Sequence, residues 1–136
     1  MMGLHPCSVK GDYKMRLKQI ESFLNKRKYY GIGETGIDLY WDKSYYKEQV
    51  ISLETHIIWA KSMNLPIILH CRDSFDEVFN IISKHQDGTL SGIFHCFTGS
   101  VDDSKKVIDA GFLMGIGGVA TFKNAGLDKT LKNISL

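Results

Sequence analysis

The sequence has no cysteine framework, no long apolar run and no strong charge. Its three cysteines are an odd number, and none form a CxxC pair. That excludes a disulfide scaffold and fits a reduced, cytoplasmic protein. No apolar run approaches the roughly 18 residues of a membrane-spanning helix, so no membrane role is expected. The N-terminus has neither the basic region nor the apolar core of a secretory signal. A formal net charge of +2 is too small to mark a nucleic-acid surface by composition, although it is compatible with a local basic patch. Short repeats, low-complexity tracts and interdomain linkers are lacking too. What remains is 136 residues at 43% hydrophobic content, expected to fold as one domain over residues 1–136.

The informative stretches are short apolar runs that end abruptly on reactive side chains. Leu65 to Ser74 is the clearest. Pro66 opens an apolar run that stops at His70, followed by Arg72 and Asp73, which reads as a strand buried on both faces. Tyr29 to Glu34 ends on a carboxylate, and Ser91 to His95 on a second histidine. Met1 to His5 looks like the end of another strand. Phe112 to Ile116 reads as a fourth strong strand, and Thr35 to Asp38 as a Gly-containing loop.

Amphipathic helices separate these strands. Tyr13, Leu17, Ile20 and Leu24 recur at helical spacing within Asp12 to Lys28, with Asp12 placed to cap. Tyr46, Val50, Leu53, Ile57 and Ala60 form the stripe of a longer helix over Ser44 to Met63. Ser74 to Glu77 has the pattern of a capping box opening a third helix. Ser100 is placed to cap a fourth, which Gly111 ends. Leu127 to Ile134 predicts one more short helix. Strands alternating with helices give an α/β fold of parallel βα repeats, with right-handed connections. Glu34, His70 and His95 then share the carboxyl edge of the sheet, where such folds place their sites.

One carboxylate and two imidazoles suit Zn, Mn or Fe better than Ca. A carboxylate can also bridge two metals and clamp a phosphoryl transfer. The plain alternative is that each histidine is a satisfied core or edge residue. Arg72, two residues past His70, points to the same side of an extended chain. It either forks onto a phosphate or pairs with Asp73 or Asp76. Thr98 to Ser100 leads into a helix N-terminus, which suits an anion or simple capping by Ser100. Lys123 is a candidate phosphate contact or a solvated loop lysine. His5 sits at a strand end, behind a ligand or facing substrate. His56 and His85 fall in helical patterns and read as non-catalytic. Alternation sends Cys71 and Cys96 to the face opposite the histidines, as small buried residues.

Five segments together resemble the TatD family of metal-dependent deoxyribonucleases. They are Gly3 to Pro6, Gly33 to Asp38, Leu65 to Asp73, His95 to Ser100 and Thr121 to Asn124. Each alone is weak, but their order is the family's and they cover nearly the whole chain. The resemblance implies a TIM-type (β/α)8 barrel, of which this chain represents roughly the second to sixth βα units. It implies divalent metal ions, two in number, of the Zn, Mg or Mn kind. Glu34 carries over as the catalytic, metal-bridging carboxylate, and His70 and His95 as ligands. Arg72, Thr98, Ser100, Lys123 and His5 are then expected to face the substrate. The activity implied is attack of metal-activated water on a phosphodiester of DNA.

The chain departs from the family pattern in two places. The opening His-x-His pair and the closing Asp strand are both missing. About 200 residues are needed to close such a barrel. The expectation is therefore an incomplete barrel whose open sheet edges invite self-association. Two other readings stay open: a related metal hydrolase acting on an amide, ester or lactone, and a catalytically inactive truncated fragment.

Overall fold

The computed structural model describes residues 1–122 and 124–134. Four strands, β1 (Ile32–Asp38), β2 (Ile67–Arg72), β3 (Gly92–His95) and β4 (Leu113–Met114), pair in that order and all in parallel. Helix α1 (Tyr13–Lys26) precedes β1. Helices α2 (Tyr46–Met63), α3 (Phe75–His85) and α4 (Val101–Asp109) fill the crossovers, and α5 (Leu127–Lys132) follows β4. A parallel bridge from Met2 to Ile32 sets the N-terminal segment beside β1. Strand order equals chain order. Crossovers of the usual right hand place α2, α3 and α4 on one face, and the sheet winds one way without a switch point. That is the winding of a (β/α)8 barrel.

The core lies between sheet and helices. Ile32, Ile37, Leu53, Ile57, Ile67, Leu69, Val78, Ile82 and Phe94 are all buried in it. Helix α1 buries the expected stripe of Tyr13, Leu17, Ile20 and Leu24. Helix α2 departs from expectation. Its buried face includes Gln49, Ser52 and His56, while Tyr46, Ile51 and Ile58 stay exposed. Two of these polar side chains serve buried backbone groups, which is what keeps them inside. Gln49 Oε1 accepts from the Asp38 amide at 2.8 Å. His56 Nε2 accepts from the Leu4 amide at 2.9 Å.

Two strands run further than expected. Thr35 to Asp38 is not a loop. It continues β1, paired with Leu69 to Arg72 of β2, which likewise extends past His70. The glycines there permit close approach instead of a turn. Gly36 has φ +146°, and a Cβ on it would overlap the carbonyl oxygen of His70. Conversely, the expected strand over Phe112 to Ile116 shrinks to Leu113 and Met114. Beyond them Gly117 and Gly118 lead into a 3-10 turn at Gly118–Thr121. Leu113 is 69% exposed at this edge.

The two capping motifs also part company. Ser74 precedes α3 but makes no capping hydrogen bond. Its hydroxyl donates instead to the buried Ile37 carbonyl at 2.6 Å and accepts from the Arg72 amide. The bond to the strand carbonyl holds the hydroxyl away from the helix end. Asp12 makes no capping bond either, and its carboxylate holds Arg16. Ser100 does cap α4, in a reciprocal box with Asp103. Ser100→Ala is expected to cost about 1 kcal/mol. A thermal melt would read that as a drop of roughly 3–5 °C, and an unchanged midpoint would deny the cap its role.

Candidate metal centre

The N-terminal segment, β1 and β2 bring three donors together, one from each. His5 Nε2, Glu34 and His70 offer ligand atoms that all lie within 4.8 Å of one another. A bulge makes this possible. The β1–β2 register slips between Gly33 and Thr35, so Glu34 has no ladder partner. Bulges of this kind re-aim a side chain next to a site. Glu34 Oε1 lies 3.1 Å from His70 Nδ1 and 3.7 Å from His5 Nε2. The His5 and His70 rings meet edge to face at 4.4 Å. His5 is set by its own backbone, its Nδ1 accepting from the Cys7 amide at 3.2 Å. That leaves Nε2 for Glu34. Burial, and then the neighbouring His70, push the His5 pKa down, against the pull of Glu34 and Asp38. A neutral ring is the form that ligates a metal.

The chemistry of the donors fits a cation. His70 Nε2 lies 2.8 Å from Asp38 Oδ2 and its Nδ1 faces Glu34. Asp38 is almost fully buried. Its carboxylate accepts only, so His70 donates to it from Nε2. The Nδ1 lone pair of a neutral ring then confronts a carboxylate oxygen, and a cation between them satisfies both. Ligands about 2.0–2.2 Å from one ion stand about 3–4 Å apart, the range of the two measured separations.

Asp38 is the residue that sequence reading missed. Its Oδ1 accepts from the Tyr40 and Trp41 amides at 3.0 and 3.4 Å, and Cys7 Sγ lies 3.4 Å from Oδ2. Burial works to raise its pKa, but these bonds, led by His70, outweigh it and hold the carboxyl below the usual range. The signal was parity: Asp38 lies four residues past Glu34, on the same side of an extended strand.

The other candidates lie further out. His95 pairs in register with His70 but is exposed and stands outside the three-residue cluster. Its Nε2 lies 3.3 Å from Cys96 Sγ. Cys96 is therefore exposed, not buried as expected, because its backbone turns at φ 48° instead of continuing the strand. Cys71 packs against the core, and burial raises its thiol pKa. Arg72 does not pair with Asp76, whose partner is Lys106. Its guanidinium lies 3.9 Å over the Tyr40 ring.

Thr98 lines a cleft of about 440 Å³ with His95, but Asp73, Asp76, Glu77 and Asp103 line it as well. Ser100 is not free for a phosphate. Both its amide and its hydroxyl are committed to the Asp103 carboxylate. The expected contact at Lys123 lies outside the described residues.

Known proteins resemble this chain in sequence and fold. YabD of Bacillus subtilis (strain 168), named as an uncharacterized metal-dependent hydrolase, is 36% identical over 91% of this chain and 49% of its own length. YjjV of Escherichia coli (strain K12), named likewise, is 31% identical over 91% of this chain and 48% of its own. The crystal structure of Escherichia coli K12 YjjV, a TatD homolog, superposes with a TM-score of 0.89 at 26% identity. It covers 98% of this chain and 52% of that one. The chain thus spans about half the length of the curated relatives it matches. The fold is a portion of a TIM-type hydrolase barrel, and the sequence profile described as TatD related DNase matches residues 1–136. The chain belongs to the TatD family.

Proposed function

We propose that this chain carries the metal centre of a phosphodiester hydrolase acting on DNA. The observation that supports it most is the convergence of His5, Glu34 and His70, with Asp38 fixing the second nitrogen of His70. Three protein ligands leave positions open for water and substrate, the pattern of a catalytic rather than a structural site. A bound divalent ion supplies Lewis-acid activation of water and positive charge against phosphate oxygens. Glu34 contributes an anionic ligand at the centre of the cluster and is placed to bridge if a second ion binds. His95, facing the same edge from β3, is the next residue within reach of such a pair. Arg72 offers a planar fork of donors to a phosphate. The open β4 edge at Leu113 is the face through which copies of the chain would associate.

The test is metal content together with hydrolysis of a DNA oligonucleotide, on the chain and on Glu34→Gln. The expected result is that the chain retains divalent metal through gel filtration and cleaves the oligonucleotide. Glu34→Gln should lose the metal and fall to background cleavage while keeping its melting behaviour. Retention without cleavage would remove the nuclease reading from this chain. Cleavage unaffected by Glu34→Gln would remove the centre itself.

A further inference from the structure

An exposed aromatic pair stands beside this centre and has no part in it so far. Tyr40 and Trp41 follow β1 after a single intervening residue, Leu39, and are 52% and 71% exposed. Their rings meet edge to face at 4.7 Å. The Arg72 guanidinium lies 3.9 Å from the centre of the Tyr40 ring and 5.5 Å from that of Trp41. The three side chains form one surface at the carboxyl ends of β1 and β2. The backbone beneath it is fixed, because Asp38 Oδ1 accepts from both the Tyr40 and Trp41 amides. The other oxygen of that carboxylate holds His70. A single buried group therefore sets the aromatic pair and the ligand in one frame.

We propose that Trp41, with Tyr40 and Arg72, is a stacking platform for an unpaired nucleobase of the strand whose phosphate reaches the metal centre. This rests on the phosphodiesterase reading above. The physical grounds are threefold. An indole ring left mostly in water beside a catalytic edge forgoes the burial that large aromatics normally find. Aromatic faces interleaved with a guanidinium are the means by which single strands are held, since every base has a π-face. A nucleotide also carries its base and its phosphate together, so a base on Trp41 leaves its phosphate near the Arg72 fork. The platform reads stacking strength and not hydrogen-bonding edges. It therefore favours single strands and frayed ends, whose bases are free, over an intact duplex.

The chain has two tryptophans, and the other, Trp59, is buried in α2. Intrinsic fluorescence thus reports Trp41 as the water-exposed emitter. The chain is titrated without added metal, using short oligothymidylate and an abasic strand of equal length, with binding read in parallel by anisotropy of labelled strands. Oligothymidylate is expected to quench the exposed emission and the abasic strand to leave it unchanged. Trp41→Ala should weaken oligothymidylate binding about tenfold or more, whereas Trp41→Phe retains most of the affinity and loses the quench. Equal quenching by the abasic strand, or Trp41→Ala binding within about twofold of the parent, would overturn the platform. If Trp41 stacks and no phosphodiester is cleaved, the platform stands and the hydrolase reading falls. If cleavage proceeds and Trp41→Ala changes neither binding nor KM, the platform falls and the hydrolase reading stands.

Discussion

Acidification from about pH 7 to about pH 4 is expected to cost the folded chain about 3 kcal/mol through His56 alone. His56 is fully buried. Its Nδ1 lies 2.7 Å from the Ser52 carbonyl and its Nε2 accepts from the Leu4 amide at 2.9 Å. A carbonyl only accepts and an amide N–H only donates, so the ring is the neutral Nδ1–H tautomer. A proton on Nε2 would abut the Leu4 N–H. Burial accordingly pushes the pKa down to about 4, against the pull of the Ser52 carbonyl.

The unfolded ring titrates near about 6.5. Between the two values the unfolded chain binds one more proton, so stability falls as pH falls through that window. Each pH unit contributes about 1.36 kcal/mol. His5, also depressed, adds loss of the same sign. Asp38 and Asp103 have lowered values, so their loss comes mainly below about pH 4, outside the window. Denaturant unfolding at several pH values would show the slope, and a flat profile between about pH 6.5 and pH 4.5 would refute it. His56→Leu should be less stable at neutral pH by about 2–4 kcal/mol, from two buried groups left unpaired, and its profile should be shallower. The effect reaches the metal centre, because Leu4 directly precedes His5.

The winding of the fold was legible because its signals are periodic. Alternating apolar runs and helical stripes placed β1 to β3 and α1 to α4 within a few residues. What was not legible turned on partners that a one-dimensional pattern does not contain. Gly36 reads as a loop residue because a turn and a close strand approach call for the same side chain. The cost of that ambiguity was Asp38, hidden in what looked like a loop. Ser74 and Ser100 both stand where a cap is expected, but the Ser74 hydroxyl goes to the Ile37 carbonyl across the chain instead. Gln49 and His56 lie outside the apolar stripe expected of α2, and nothing in the sequence signals the buried backbone groups they satisfy. His70 and Glu34 were legible as a site because each ends an apolar run. His5 was visible at a strand end, but its nearness to Glu34 depends on the Met2–Ile32 bridge, a contact across the chain.

Asp38→Asn is the substitution expected to act most sharply on the metal centre, and the tautomer of His70 is the reason. The two carboxylate oxygens of Asp38 have separate duties. Oδ1 receives the Tyr40 and Trp41 amides, and Oδ2 receives His70 Nε2. An asparagine must keep its oxygen toward the two backbone donors, since turning it over would set its NH2 against both. The NH2 therefore faces His70 Nε2, which becomes the acceptor. The ring proton moves to Nδ1, the nitrogen 3.1 Å from Glu34, and a protonated nitrogen does not ligate.

Partners that orient a ligating histidine are worth about 10–100-fold in metal affinity, and a loss of that size is expected here. Asparagine is near in shape, so the melting midpoint at neutral pH should move little. Calorimetric titration with Zn²⁺ or Mn²⁺ reads the affinity. Nitrogen chemical shifts of the His70 ring in the metal-free chain read the tautomer, which a purely structural role for Asp38 would not move. If His70 keeps its proton on Nε2 and the affinity stays within about twofold of the parent, Asp38 does not position the ligand. Its burial would then serve only the turn at Tyr40 and Trp41.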